Sequence, residues 1–153
     1  MRPMASKSLY AAMAVLVVSA GVSEARPMPA SRISALPVYT VGQAQAGGEL
    51  YKAACAMCHG THLEGTFDVP ALRGRFVTNW GDAPLSQLSS YIRRAMPLMA
   101  PGTLSEEDTA ALVAFLLQQN GGVEAGKTAL PSSEAGLRRM VFPVVSVAAR
   151  PRR

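Results

Sequence analysis

Both cysteines and both histidines of this chain lie within the stretch YKAACAMCHGTHLEG, residues 51–65. They are Cys55, Cys58, His59 and His62. Residue types of this kind at this spacing could bind a zinc ion, form a thiol redox pair or anchor a larger cofactor. The surrounding sequence decides which of these three kinds of site the four side chains can form.

Two of the three chemistries fit the spacing poorly. Zinc is enclosed tetrahedrally, usually by ligand pairs that a dozen or so residues separate, whereas all four side chains here would lie on one short helical face. A catalytic C-x-x-C normally begins a helix after a strand, where the helix dipole lowers the thiol pKa. Here the pair lies at the end of a predicted helix, with no strand before it.

The third chemistry is covalent haem attachment, for which C-x-x-C-H is the signature. The thiols of Cys55 and Cys58 add to the two vinyl groups, and the imidazole of His59 then lies where it can bind the iron. One turn of chain reaches two points on one macrocycle edge while the next residue points at its centre. The sequence therefore predicts one haem c.

The N-terminus predicts export, which haem attachment outside the cytoplasm requires. Arg2 and Lys7 precede an uncharged, mostly apolar run from Leu9 to Ala20, and small residues follow it. The run is shorter than the roughly 20 residues that cross a bilayer. We interpret residues 1–25 as a secretory signal peptide, so the protein would be periplasmic, with a membrane association only if this segment stays uncleaved.

Charge divides the chain into three parts. Residues 44–120 carry five basic and seven acidic residues, so the net charge of +5 comes from the two ends. Because the middle has no cluster of basic residues with aromatics between them, nucleic-acid binding is not expected.

Composition and periodicity indicate helices and loops. Residues 26–43 contain three prolines and predict a linker, residues 44–58 a helix, and residues 60–83 mostly loop. A second helix is predicted after Pro84 and ends before Pro97.

A last helix should begin at the capping box of Ser105 and Asp108 and run to about Gln119. Residues 121–153 form a tail with an apolar patch and a basic end. The patch could be an edge strand or a docking segment, or the tail could be a loosely ordered terminus. A unit of about 77 residues, 44–120, has a thin core. A haem would complete it.

The sequence resembles class I c-type cytochromes, in particular small bacterial ones found beside periplasmic quinoprotein dehydrogenases. The resemblance covers about residues 44–120 through the segments GGELYKAACAMCHG, VPALRGR and MPLMAPGTLSEEDTAALVAFLL. It implies an all-α, cytochrome c-like fold of about three main helices and long loops wrapped around one covalent haem. It also implies that Gly47 and Tyr51 cross the last helix near Phe115.

The sixth iron ligand has three candidates, Met96, Met99 and His62, because Met57 lies within the attachment loop and cannot reach across the ring. The family's axial methionine opens an M-P-x-x-x-P-G pattern, which implies Met96, with Met99 as the alternative. Met99 is otherwise expected to fill the core, and His62 to be an exposed loop residue.

Four further residues are assigned to the haem surroundings by the resemblance. It implies that the Pro70 carbonyl accepts the other N–H of His59, that Leu72 packs on the ring, and that Trp80 and Arg75 lie near the propionates. Simple core packing remains open for Trp80, and a solvated surface position remains open for Arg75.

The predicted function is single-electron transfer. The donor would be a periplasmic dehydrogenase, and the acceptor another cytochrome or a terminal oxidase of the respiratory chain. The protein would not be an enzyme itself, although it could be the cytochrome subunit of a dehydrogenase complex. The alternative is a haem-based enzyme or ligand sensor with a labile sixth ligand.

Overall fold

The computed structural model describes residues 36–121 and 125–144, and these residues belong to one compact unit. The predicted signal peptide, most of the predicted linker and the basic end of the tail lie outside the described residues. The helices are α1 (Val41–Ala54), α2 (Ala56–His59), α3 (Arg75–Trp80), α4 (Leu85–Ala95), α5 (Glu106–Gln119) and α6 (Glu134–Leu137). No strand forms in the described part of the chain, so the predicted all-α fold with three main helices is confirmed.

The crossing of α1 over α5 organises the core. A Cβ built on Gly47 would lie 1.9 Å from the carbonyl oxygen of Ala111, so only glycine permits this approach. Next to it, the rings of Tyr51 and Phe115 pack with their centroids 5.2 Å apart. The close crossing that the resemblance implies is therefore confirmed.

Both later main helices begin and end where the sequence predicts. The Ser105 hydroxyl accepts a hydrogen bond from the Asp108 N–H at 3.0 Å, and three acidic residues occupy the first turn of α5. This arrangement satisfies an unpaired N–H group and places negative charge at the positive end of the helix dipole. Helix α4 starts directly after Pro84 and ends at Ala95, two residues before Pro97.

Two local predictions differ from the structure. Helix α1 starts at Val41, inside the predicted linker, because the Thr40 hydroxyl caps it by accepting from the Gln43 N–H at 3.1 Å. Helix α3 forms within the segment predicted to be loop. Its residues Phe76 and Trp80 lie one helical turn apart with ring centroids at 6.4 Å, so aromatic packing stabilises a helix that has no clear periodicity in sequence.

Residues 125–144, which we call the C-terminal strap, pack on the same core as the main helices. Leu130, Leu137 and Phe142 are each at most 2% exposed. The strap adds two isolated bridges, Gly81 with Phe142 and Pro84 with Val141. The described part of the predicted tail is thus neither an edge strand nor a loosely ordered terminus, because its apolar side chains are buried in the core.

The N-terminal approach to α1 joins this packing. Tyr39 is 2% exposed, and its carbonyl accepts from the Gly126 N–H at 2.7 Å. The Gln43 amide bonds both backbone groups of Leu130, at 2.9 and 2.8 Å. Within residues 36–121 and 125–144, no helix has both the length and the hydropathy that crossing a membrane requires.

Candidate haem-binding site

The attachment segment is a tight turn between α1 and α2. Helix α1 ends at Ala54, and the carbonyl of Cys55 accepts from the N–H groups of Cys58 and His59 at 3.1 and 2.9 Å. The two cysteines form no disulfide with each other; Cys58 is exposed, and Cys55 is half-buried against the core. Before haem is attached, burial raises the pKa of the Cys55 thiol, and the neighbouring Cys58 raises it further.

The imidazole of His59 is held from one side by the backbone. Its Nδ1 lies 2.9 Å from the carbonyl oxygen of Pro70. Since a carbonyl can only accept a hydrogen bond, Nδ1 must carry the proton. In the neutral imidazole, Nε2 is then the nitrogen with the free lone pair, which is the form of histidine that binds a metal.

The loop that presents the Pro70 carbonyl closes tightly on itself. The N–H of Gly65 donates to the His59 carbonyl at 2.8 Å, and the N–H of Thr66 donates to Val69 at 2.8 Å. Gly65 has a φ of +69°, and a Cβ there would lie 2.4 Å from the Val69 oxygen. Glycine is required at this point, so the local sequence itself brings Pro70 back to His59.

Tyr51 ties helix α1 to the residue after the histidine. Its hydroxyl donates to the Gly60 carbonyl at 2.5 Å, and its side chain is 2% exposed. Burial, with smaller contributions from Cys55 and Glu64, raises the pKa of Tyr51 from 10.0 to about 12. The hydroxyl therefore stays protonated, and remains a donor, at every pH at which the protein would normally be studied.

We expect a Tyr51→Phe variant to reveal this linkage. A raised pKa means that the folded state holds the proton more tightly, so the stabilisation is complete below pH 10 and is lost as pH rises towards about 12. At pH 7 the variant should be less stable by roughly 1 to 2 kcal/mol, the cost of one lost hydrogen bond. Denaturant unfolding between pH 7 and 12 should show the two proteins converging at high pH. A gap that stays constant across this range would contradict the assignment.

Leu72 is held by a contact that the local sequence does not indicate. Its N–H donates to the Leu63 carbonyl at 2.9 Å, and its own carbonyl accepts from the Asn120 side chain at 3.1 Å. Asn120 caps α5 and so connects the end of that helix to the loop beside His59. The one available signal for Asn120 is its place just before Gly121, where a helix is expected to end.

Met96 is the residue directly after α4, at the C-cap position of that helix. It is half-buried against the core, and its N–H donates to the Ile92 carbonyl at 2.8 Å. The following loop returns so that the Gly102 N–H meets the Arg93 carbonyl at 2.9 Å. Arg93 also forms an ion pair with Glu106 at 2.8 Å, joining the end of α4 to the start of α5.

The prediction that Met99 fills the core is wrong. Met99 is 87% exposed, and its neighbour Leu98 is 79% exposed. The turn after Pro97 carries both side chains away from the core, which the half-buried Met96 contacts instead.

Trp80 and Arg75 lie at the two ends of α3. The Trp80 ring is half-buried between Phe76 and Tyr91, with centroids 6.4 and 5.7 Å away. Arg75 is exposed at the first position of the helix. Packing therefore accounts for part of the Trp80 surface, while proximity of either residue to the propionates stays a prediction.

His62 is exposed, as predicted for a loop residue. Its backbone N–H donates to the Glu64 carboxylate at 2.7 Å. Hydrogen bonds from the N–H groups of Glu64 itself and of His62 hold the pKa of the Glu64 carboxyl below its usual value. No set of three or more acidic, cysteine and histidine side chains comes together as a metal-ion site in the part of the chain that the structure describes.

Comparison with known proteins shows which class of protein this chain is similar to. Residues 42–116 match the family model described as cytochrome c oxidase, cbb3-type, subunit III. Over 77 residues the chain is 30% identical to thiosulfate dehydrogenase of Stutzerimonas stutzeri (strain A1501), which is 46% of this chain but 25% of that protein. The sulfane dehydrogenase SoxCD structure from Paracoccus pantotrophus has a chain 28% identical to this one, covering 80% of this chain and 68% of that chain, with a TM-score of 0.49.

This chain therefore contains a class I c-type cytochrome domain, and its cofactor is covalent haem c. The donor chemistry fits this group: two cysteines three residues apart with no disulfide between them, an adjacent imidazole with Nε2 available, and a soft thioether at the end of α4. The predicted family, fold class and cofactor are confirmed, and the domain's role is electron transfer. The chain spans about a quarter of the length of the curated relative that it matches.

Proposed function

We propose that this protein is a periplasmic monohaem cytochrome that carries single electrons through a haem ligated by His59 and Met96. The observation that carries the proposal is the hydrogen bond from His59 Nδ1 to the Pro70 carbonyl at 2.9 Å, directly after the C-x-x-C pair. That bond fixes the tautomer and the ring orientation that axial ligation needs. Met96 is the proposed second ligand because it caps the end of α4, opens the M-P-x-x-x-P-G pattern and packs against the core.

Each part of the site has a separate task in this mechanism. Cys55 and Cys58 anchor the cofactor covalently, and the Pro70 carbonyl makes His59 a stronger donor. When bound, the haem supplies a one-electron Fe(III)/Fe(II) couple. The Met96 thioether is a soft ligand that favours the reduced state, so it raises the reduction potential. Ligation by both His59 and Met96 would keep small molecules from the iron, which suits electron transfer.

The proposed electron donor is a periplasmic dehydrogenase, and the proposed acceptor is another cytochrome or a terminal oxidase. The similarity to thiosulfate dehydrogenase supports a dehydrogenase partner, although it is confined to 25% of that protein. Extra segments beyond the minimal domain would favour a dedicated partner. The C-terminal strap, however, packs within the domain itself. The proposed partner therefore rests on the similarity to thiosulfate dehydrogenase.

The proposed location and domain limits follow from the sequence. Residues 1–25 act as the signal peptide, and the haem domain is centred on residues 44–120. Export also fits covalent haem attachment, which takes place outside the cytoplasm. Nucleic acid is not a proposed partner, because the haem domain carries more acidic than basic residues.

The absorption spectrum of the oxidised protein tests the ligand assignment. We expect a low-spin ferric spectrum with a weak long-wavelength iron–sulfur charge-transfer band. Met96→Ala should abolish the band and lower the reduction potential by about 0.1 V or more, because axial ligands tune haem potentials over roughly 0.8 V. Met99→Ala is the matched control, since it removes an exposed methionine three residues away, and it should keep both properties.

A high-spin ferric spectrum in the wild-type protein would contradict the proposal. It would favour instead a haem enzyme or ligand sensor with a labile sixth ligand. Loss of the band in Met99→Ala but not in Met96→Ala would exchange the two methionines and leave the electron-transfer role unchanged.

A further inference from the structure

The C-terminal strap is attached to the helix that ends at the proposed methionine ligand. The N–H of Leu85, the first residue of α4, donates to the Met140 carbonyl at 2.8 Å. Just before α4, the N–H of Asp82 donates to the Phe142 carbonyl at 3.0 Å, and the N–H of Phe142 donates to Ala83 at 3.0 Å. Three backbone hydrogen bonds thus fix the start of α4 to the strap.

Side-chain packing strengthens the same attachment. Helix α6 of the strap packs against α4, and Leu137 within it is 1% exposed. Phe142 is also 1% exposed and meets the ring of Phe76 edge-on at 5.6 Å. A Cβ on Gly81 would lie 2.5 Å from a methyl group of Val144, so the strap and the α3–α4 connection fit closely.

Helix α4 transmits this attachment to Met96. The helix has 11 residues, a rigid length of about 16 Å, and Met96 continues its hydrogen-bond pattern through the bond to Ile92 at 2.8 Å. Its main helix partners in the described residues are α5 and α6. Removing the α6 contact therefore frees the helix to shift as a unit, and a shift of this kind moves Met96 as well.

We propose that the C-terminal strap is a positioning element for the sixth iron ligand: by holding α4 it keeps Met96 on the iron. This inference rests on the proposed role of Met96. The strap then lies outside the ligand loop and yet determines how readily an external ligand displaces the methionine. Leu137 and Phe142 are positioning residues in this arrangement, since neither is assigned to the haem surroundings.

The test measures imidazole binding to the oxidised, haem-loaded, full-length protein, because imidazole must displace Met96 to bind. Leu137→Ala should bind imidazole about tenfold more tightly than the wild type, which corresponds to about 1.4 kcal/mol. On heating, the charge-transfer band of Leu137→Ala should also weaken at a lower temperature than that of the wild type. Leu130→Ala is the matched control: it makes the same change at a residue 2% exposed, in the part of the strap that bonds Gln43 of α1. It should lower the unfolding temperature similarly but leave the imidazole affinity near that of the wild type.

Equal imidazole affinities in the Leu137→Ala and Leu130→Ala proteins would overturn the inference. If Leu137→Ala does not accumulate as folded protein, Phe142→Leu decides by the same comparison, because it keeps most of the apolar volume. Met96→Ala separates the two proposals. If it binds imidazole no more tightly than the wild type, Met96 is not a ligand; the proposed ligand assignment then fails, and the positioning role fails with it. If it binds much more tightly while the strap variants match the control, only the positioning role fails.

Discussion

A Cys55→Ser/Cys58→Ser double variant should release all of its haem on extraction with acidic organic solvent, whereas the wild-type polypeptide should keep it. Serine preserves the size of the side chain but forms no thioether with a vinyl group. The attachment turn itself should persist, because the backbone bonds to the Cys55 carbonyl involve no side chain. The measurement is the haem content of the denatured polypeptide, read by its absorbance after extraction.

Two further variants make this experiment specific. Each single variant, Cys55→Ser or Cys58→Ser, should retain haem through the remaining thioether, with the spectral shift of one unreacted vinyl group. His62→Ala is the control for a general disturbance of the segment, since His62 is exposed, and it should keep both thioethers. Haem-free wild-type protein, purified after export in a host that attaches haem to other proteins, would contradict the assignment.

A Gly47→Ala variant should lose about 3 kcal/mol of folding stability or more. The new Cβ would lie 1.9 Å from the Ala111 carbonyl oxygen and 2.4 Å from its carbon, both backbone atoms of α5. Because backbone cannot rotate away as a flexible side chain does, the two helices must separate, and overpacking of this kind usually costs 1 to 3 kcal/mol or more. Such a loss is a large part of the 5 to 15 kcal/mol that typically holds a domain together.

Gly42→Ala is the matched control for Gly47→Ala, because it makes the same substitution in the same helix. A Cβ on Gly42 would meet no atom within 4 Å. The control should therefore be neutral or more stable, by up to about 1 kcal/mol, through the higher helix propensity of alanine. Denaturant unfolding of the haem-loaded proteins measures both values. Equal stability of the two variants would mean that α1 and α5 do not cross closely at Gly47.

The haem-attachment prediction depends on neighbouring residues in the sequence, whereas the Gly47 prediction depends on a contact between two helices. The attachment motif needs nothing beyond five consecutive residues, Cys55 to His59, so it is predictable from sequence. The same holds for the helix ends at Ser105 and before Pro97, since capping groups and proline act within one turn. Gly47 required more: its role follows from the family resemblance, and the physical reason became visible only with Ala111 beside it.

The residues that orient the site depend on contacts between distant parts of the chain. Asn120 bonds Leu72 across 48 residues, and Gln43 bonds Leu130 across 87 residues. No local pattern distinguishes these amides from solvated ones, because their partners are backbone groups that any residue could present. The exposure of Met99 was not predictable either. The local sequence of a methionine near a proline turn is the same whether the turn faces the core or the solvent.

The sequence by itself determined the cofactor chemistry, the helical class and most helix limits, because each of these depends on residues within a few positions of one another. The tertiary structure decided that the C-terminal strap belongs to the core and that it holds α4. Burial of Leu130, Leu137 and Phe142 is a property of the whole packed domain. An apolar segment in the sequence predicts burial against some apolar surface, but only the folded structure shows which surface it covers.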